Sequence, residues 1–261
     1  MNILMLSDFS TNARHAHQYA LELYKNQDVT AFLHHVKKPC VSTKNCSGKC
    51  KLGLFQKLTK QAQELVSNTN YNTPEVVLTE GSFLEEVRSA VVKFNIDVIV
   101  IGGKGKSTNS QNAIGCHTKA IATKVKCPVL IVFEDTPLTQ PKSVLFPVNY
   151  TDALYPVCLN KLRSLPDWEN LSFKVVELQA RSTAAHLTLS SKQILERSLK
   201  NFKLEFLDLV QEKAELLNLA NNYNLMVYAA KNLSVGNQIF SELNNNKGAL
   251  KLKTPLFVLH A

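Results

Sequence analysis

The 261-residue sequence has no apolar run long enough to cross a bilayer. The longest runs, such as Cys127 to Phe133, fall far short of the roughly 20 residues that a spanning helix needs. The amino terminus enters an apolar stretch at once, with no basic region and no small-residue cleavage site. Export is therefore not expected, and a cytoplasmic location is. The six cysteines are expected to be reduced thiols in a chain without export signals. Two familiar phosphate loops are missing. Gly105-Lys106-Ser107 looks like the tail of a P-loop, but the earlier glycine of that motif would fall at Val100. The first turn, Ser7-Asp8-Phe9-Ser10, has no glycine and so is not a Rossmann fingerprint. No nucleophile with an adjacent base and no carboxylate cluster suited to magnesium is recognisable, which argues against turnover. The net charge of +9 divides evenly, with 16 Lys+Arg against 11 Asp+Glu in residues 1–139 and 14 against 10 in residues 140–261. Neither half is a basic arm, and aromatic residues do not interleave with the lysines, so a nucleic-acid partner is not expected.

What the sequence does contain is one unit written twice. Residues 76–133 overlay residues 203–260 without a gap at an offset of 127, so that Asp97-Val-Ile-Val-Ile-Gly-Gly-Lys104 meets Asn224-Leu-Met-Val-Tyr-Ala-Ala-Lys231. Lys126-Cys-Pro-Val-Leu-Ile-Val-Phe133 likewise meets Lys253-Thr-Pro-Leu-Phe-Val-Leu-His260. The two starts, Ile3 to Thr11 and Val144 to Asp152, pair at an offset of 141, so the first copy carries fourteen more residues than the second. Val29–Val36 pairs with Leu171–Leu178, which places the surplus at Lys37–Cys50, a lysine-rich stretch with three of the cysteines. A repeat of roughly 130 residues can hold its own core, which predicts two tandem domains, 1–136 and 142–261, with a short proline-containing linker between them.

Short β-rich runs alternate with amphipathic helical segments. Strands are expected near 2–7, 29–36, 75–79, 97–101 and 128–133, and again near 143–148, 171–178, 203–207, 225–229 and 255–259. Ser82 and Glu85 have capping-box spacing at the head of a helix. Strands joined by right-handed crossover helices give a parallel sheet covered on both faces, so each half is expected to be an open α/β sandwich. The last strands, Val129–Phe133 and Leu256–His260, would leave apolar sheet edges, and their pairing as an intramolecular pseudo-dimer is predicted.

In open α/β sheets, ligands settle at the carboxyl ends of the strands. There the first copy has Gly102-x-x-Gly105-x9-Gly115 followed by Cys116. Glycines let backbone close around a phosphate, and the amides at a helix start donate to it. Lys104 and Lys106 add charge, and Asp8 ends the first strand, where a carboxylate can accept from ribose hydroxyls. The same spacing also occurs in tight connections that bind nothing.

With its opening Ile3-Leu-Met-Leu-Ser-Asp8-Phe-Ser10, the Gly102-x-x-Gly105-x9-Gly115 loop and the closing Lys126-Cys-Pro-Val-Leu-Ile-Val132, the chain resembles a tandem member of the universal stress protein family. The resemblance implies the adenine nucleotide α-hydrolase-like fold and ATP as ligand. Carried across residue by residue, it places the binding roles on Asp8, Val36, Gly102, Lys104, Gly105, Gly115, Cys116 and Thr118, with Val36 acting through its backbone. Cys116 stands where the family has a hydroxyl residue, and a thiol is the weaker donor. The resemblance implies stress-response nucleotide sensing. An ATP hydrolase of the related group and an interaction module that binds no nucleotide are the alternatives.

In the second copy the same offset puts Ala229, Asn232 and Glu242 at the three glycine positions, and Asn149 replaces Asp8. One nucleotide per chain, in the first copy, is therefore expected. Cys40, Cys46 and Cys50 could bind zinc with His34 or His35, could sense oxidants, or could be an exposed reduced loop. His15, His17, His117, His186 and His260 are expected to be structural or surface residues. No membrane is expected as a partner, and a homo-oligomer is compatible with the sequence.

Overall fold

The computed structural model describes residues 1–39, 49–67, 69, 71–105, 114–150, 156–178, 185–199, 203–210, 213–231, 233–245 and 252–260. The first half runs β1 (Asn2–Leu6), α1 (Thr11–Leu23), β2 (Thr30–Lys37), α2 (Lys49–Val66), β3 (Glu75–Glu80), α3 (Phe83–Lys93), β4 (Val98–Gly102), α4 (Cys116–Lys124) and β5 (Val129–Val132). The second runs β6 (Ser143–Val148), α5 (Pro156–Leu159) with two 3-10 turns, β7 (Ser172–Leu178), α6 (Ala185–Ser198), β8 (Lys203–Val210), α7 (Lys213–Ala220), β9 (Leu225–Ala229), α8 (Leu233–Asn245) and β10 (Leu256–Leu259). Strand ends agree with the sequence pattern to within one residue, except that β8 continues to Val210.

All ten strands form one sheet in the order β3-β2-β1-β4-β5-β10-β9-β6-β7-β8. Each half is parallel inside, as crossover helices require. The halves meet antiparallel, with Leu256, Phe257 and Val258 opposite Ile131, Leu130 and Val129. The predicted pairing of the last strands is thus present, and it leaves β3 and β8 as the outer edges. β4, β5, β9 and β10 are buried along their whole length because helices cover both faces.

One core lies on each face, and both run across the seam. Tyr19, Leu58 and Leu195 of α1, α2 and α6 pack on one side with Leu130 and Phe257. Val87, Ile121, Leu216 and Ile239 of α3, α4, α7 and α8 pack on the other with Val129 and Val258. His260 adds a polar tie, its Nε2 donating at 2.9 Å to the Ala122 carbonyl in the first half.

Three local expectations change. Ser82 does occupy the N-cap of α3, but its side chain makes no cap bond, and Glu85 pairs with Arg88 at 2.7 Å instead of reaching back. The expected Lys37–Cys50 loop is shorter at both ends, since Lys37 closes β2 while Lys49 and Cys50 open α2. Cys40 and Cys46 lie outside the described residues. Among the described residues there is no group of three or more metal-ligating side chains, and no helix is long and apolar enough to cross a membrane.

The third change is in the second half. The offset of 127 would start the helix after β9 at Leu243, yet α8 begins at Leu233 and contains Glu242 near its end. Glu242 is therefore a buried residue inside a helix, not the residue that precedes one as Gly115 does. The local reason is that Val235, Ile239, Phe240 and Leu243 already form a buried helical stripe. The equivalent stretch of the first half is polar until Ile114.

Candidate functional site

A cleft open to solvent lies at the carboxyl ends of β1 and β4. Seven of the eight expected residues line it: Asp8, Gly102, Lys104, Gly105, Gly115, Cys116 and Thr118. The eighth, Val36, does not line the cleft and is half-buried on β2. The Ser7 amide donates to the His34 carbonyl at 2.8 Å, and strand alternation turns the N–H and C=O of Val36 to the same side, beyond the last β1–β2 pair.

The turn from β4 is shaped by close backbone approach. The Gly103 amide donates to Val132 O at 2.7 Å, and the Gly115 amide donates to Gly103 O at 2.8 Å. Gly115 is the N-cap of α4. The first amides of α4, with the positive end of its dipole, open toward the cleft, and the first turn holds no acid. Any side chain at Gly103 would collide with the Phe133 ring, which stands 2.6 Å from where its Cβ would be. That glycine lies inside the sequence motif but is not one of its fixed positions.

Thr118 is 2 % exposed, and its hydroxyl donates to Gly102 O at 2.9 Å. The hydroxyl proton is thus committed to the loop. Asn12 supports the same loop from α1. With its amide turned so that Oδ1 faces the chain, it accepts from Lys104 N at 2.9 Å and Gly103 N at 3.2 Å and donates to Val132 O at 3.2 Å.

Asp8 is partly exposed, and its Oδ1 accepts from the Ser10 amide at 2.9 Å. Its Oδ2 faces Gly105, where a Cβ would stand only 3.1 Å away. Phe9, which follows, adopts φ 61, a left-handed conformation unusual for a bulky residue.

Side chains that motif spacing does not reveal complete the site. Phe83 and His117, which both line the cleft, stack on each other at 4.3 Å between ring centroids and 18°. His117 reads in the sequence as a structural or surface residue, and only the approach of α3 to α4 pairs it with Phe83. His17 is fully buried, donating from Nε2 to Leu6 O at 3.0 Å. His34 is buried beside Thr79, 2.9 Å from its hydroxyl, and His15 meets Thr136 O at 2.8 Å. The side chain of His186 lies outside the described residues.

Burial pushes both His17 and His34 down from the ordinary 6.5 to about 4, and it lowers His260 as well. These groups stay neutral in the native protein while the unfolded chain takes up protons. Stability is therefore complete above about pH 6.5 and is lost as pH falls toward 4. By pH 4.5 the loss should reach about 2–3 kcal/mol for each of His17 and His34. Urea denaturation at pH 7 and pH 4.5 measures it, and His17→Asn should flatten the dependence. A pH-independent midpoint would show that these histidines are not held neutral.

The geometry defines a protein with an open α/β sheet and a glycine-lined cleft at a strand-to-helix turn. The sequence profile of the universal stress protein family matches residues 1–132, half of the chain, and the chain belongs to that family. A crystal structure of a universal stress protein from Archaeoglobus fulgidus superposes with a TM-score of 0.66 at 12% identity. It covers 99% of this chain and 96% of that one, so the fold likeness includes both halves. A putative universal stress protein from Pseudomonas aeruginosa gives a TM-score of 0.56 at 11% identity, with 99% and 92% covered. No curated protein matches the chain in sequence.

Proposed function

We propose that the first domain, residues 1–136, binds one adenine nucleotide, ATP, in this cleft. The second domain, residues 142–261, carries the fold without a site. The protein acts in the cytoplasm as a stress-response sensor of nucleotide, not as an enzyme. One observation carries this reading: Asp8, Gly105, Gly115 and the amino terminus of α4 line one cleft, and Gly105 and Gly115 stand where a Cβ would meet Asp8 Oδ2 and the loop backbone. The α4 amides and Lys104 supply the field for phosphates. Asp8 offers a carboxylate to the sugar, and the backbone of Val36 would meet the base.

The second half supports a single site for a reason different from the one the sequence offers. α8 starts three residues after Ala230, which argues against a long phosphate-wrapping turn directly after β9. Asn149, in the position of Asp8, is buried.

Titration calorimetry with ATP should give one site per chain. Cys116 is exposed at the first position of α4, and Cys116→Ser should tighten binding by about 1 kcal/mol, roughly fivefold, by adding a stronger donor. Two equivalent sites would overturn the one-site reading. No binding at any nucleotide concentration tested would leave the cleft without its ligand, and release of phosphate from ATP would favour the hydrolase.

A further inference from the structure

We propose that Ser7, Gln61 and His17 form a buried relay that fixes Asp8 at the mouth of the cleft, which makes all three positioning residues for recognition of the ribose hydroxyls. The inference rests on the nucleotide reading above. The Phe9 amide donates to Ser7 Oγ at 3.2 Å, and Ser7 Oγ donates to Gln61 Oε1 at 2.9 Å. Gln61 Nε2 donates to His17 Nδ1 at 3.3 Å, and His17 Nε2 donates to Leu6 O at 3.0 Å.

Every bond in this chain has one allowed direction. A carbonyl can only accept, so His17 carries its proton on Nε2 and accepts on Nδ1. That in turn fixes the Gln61 amide, and Gln61 fixes the Ser7 hydroxyl. The relay starts and ends on the same loop, at Leu6 and Phe9, and the carboxylate lies between those anchors. It draws on β1, α1 and α2 together.

The remaining polar atoms of Ser7 are also engaged. Its amide donates to His34 O at 2.8 Å, and its carbonyl accepts from His35 Nδ1 at 2.7 Å. The Phe9 ring is held between the His35 ring, 4.6 Å away, and Lys57 Nζ, 4.3 Å from its centroid. These contacts hold Phe9 in a left-handed conformation that a bulky residue resists. A leucine could fill the His17 position without desolvating an imidazole, so packing alone does not account for the histidine. The result of the constraint is a carboxylate with Oδ1 on Ser10 and Oδ2 facing Gly105.

The test uses the full chain with Ser7→Ala and Gln61→Met, which remove the relay with little change of volume. Leu58→Ala serves as a control that weakens the same helix face without touching the relay. Two readouts are taken, hydrogen exchange of the Phe9 and Ser10 amides without ligand, and the ratio of Kd values for 2′-deoxy-ATP and ATP. Both relay variants should speed exchange at Phe9 and Ser10 by roughly tenfold and bring the Kd ratio toward that of Asp8→Ala. Leu58→Ala should leave the ratio at the wild-type value. Wild-type exchange at both amides in Ser7→Ala and Gln61→Met would overturn the relay. Local exchange that rises while the Kd ratio stays at the wild-type value would overturn its role in sugar recognition. If the wild-type protein binds neither nucleotide, the function proposed above and ribose recognition fall together, and the exchange data alone decide whether the relay fixes the loop.

Discussion

Gly115→Val should weaken ATP binding by about a hundredfold, the upper end of what overpacking a close-fitted site costs. A Cβ at this position would stand 3.3 Å from Thr118 Oγ1 and 3.4 Å from the Gly105 amide nitrogen. Alanine needs only a few tenths of an ångström of adjustment. Valine adds two carbons about 1.5 Å further out, between the two strands of backbone that would close on phosphate. The fold should tolerate the change, because Gly115 has φ −64 and ψ 145, ordinary for valine. Calorimetry should therefore lose the binding heat while the thermal midpoint shifts little, and Gly115→Ala should fall between. Lys231→Ala, at the exposed position equivalent to Lys104, should bind like wild type. Binding that survives Gly115→Val would remove the nucleotide from this cleft.

Truncating the seam should have the largest effect on stability. Phe257 and Leu130 are opposite each other in the antiparallel pair, and both are fully buried. Phe257→Ala should cost about 3–5 kcal/mol and Leu130→Ala about 2–5 kcal/mol. In a double-mutant cycle their coupling should be about 0.5–3 kcal/mol, since they share one packed layer. The single tryptophan, Trp168, lies in the second half and reports that half alone by fluorescence. Denaturation of Leu130→Ala, a first-half substitution, should shift the Trp168 transition as far as it shifts circular dichroism. A Trp168 transition that does not move would show that the halves unfold independently despite the shared sheet.

The correct and incorrect expectations separate by the range of the forces involved. β4 and β5 were legible because residues such as Val98–Ile101 and Val129–Val132 are apolar throughout, a pattern that burial on both faces imposes locally. Their partners in the second half were legible for the same reason. The glycine loop was legible because close backbone approach requires residues without a Cβ. Glu242 falls inside α8, against the offset, because an ungapped offset assumes that elements keep their lengths, whereas Val235, Ile239 and Phe240 form a buried stripe at helical spacing ahead of it. The Ser82–Glu85 box failed because an arginine one turn away competes for the same carboxylate.

The sequence by itself determined the duplicated α/β architecture, the strand spans and the glycine-lined turn beside Asp8, all of which rest on hydrophobic periodicity and local backbone sterics. Tertiary structure alone decided the rest. Gln61 lies 54 residues from Ser7 and 44 from His17 in sequence, and nothing in the local pattern ties them. Burial joins them, because polar groups removed from water must find one another. The same holds for Phe83 against His117 and for Thr118, whose hydroxyl faces its own loop. The periodicity of a strand or helix fixes which residues turn inward, and the packing of distant elements fixes which of them meet.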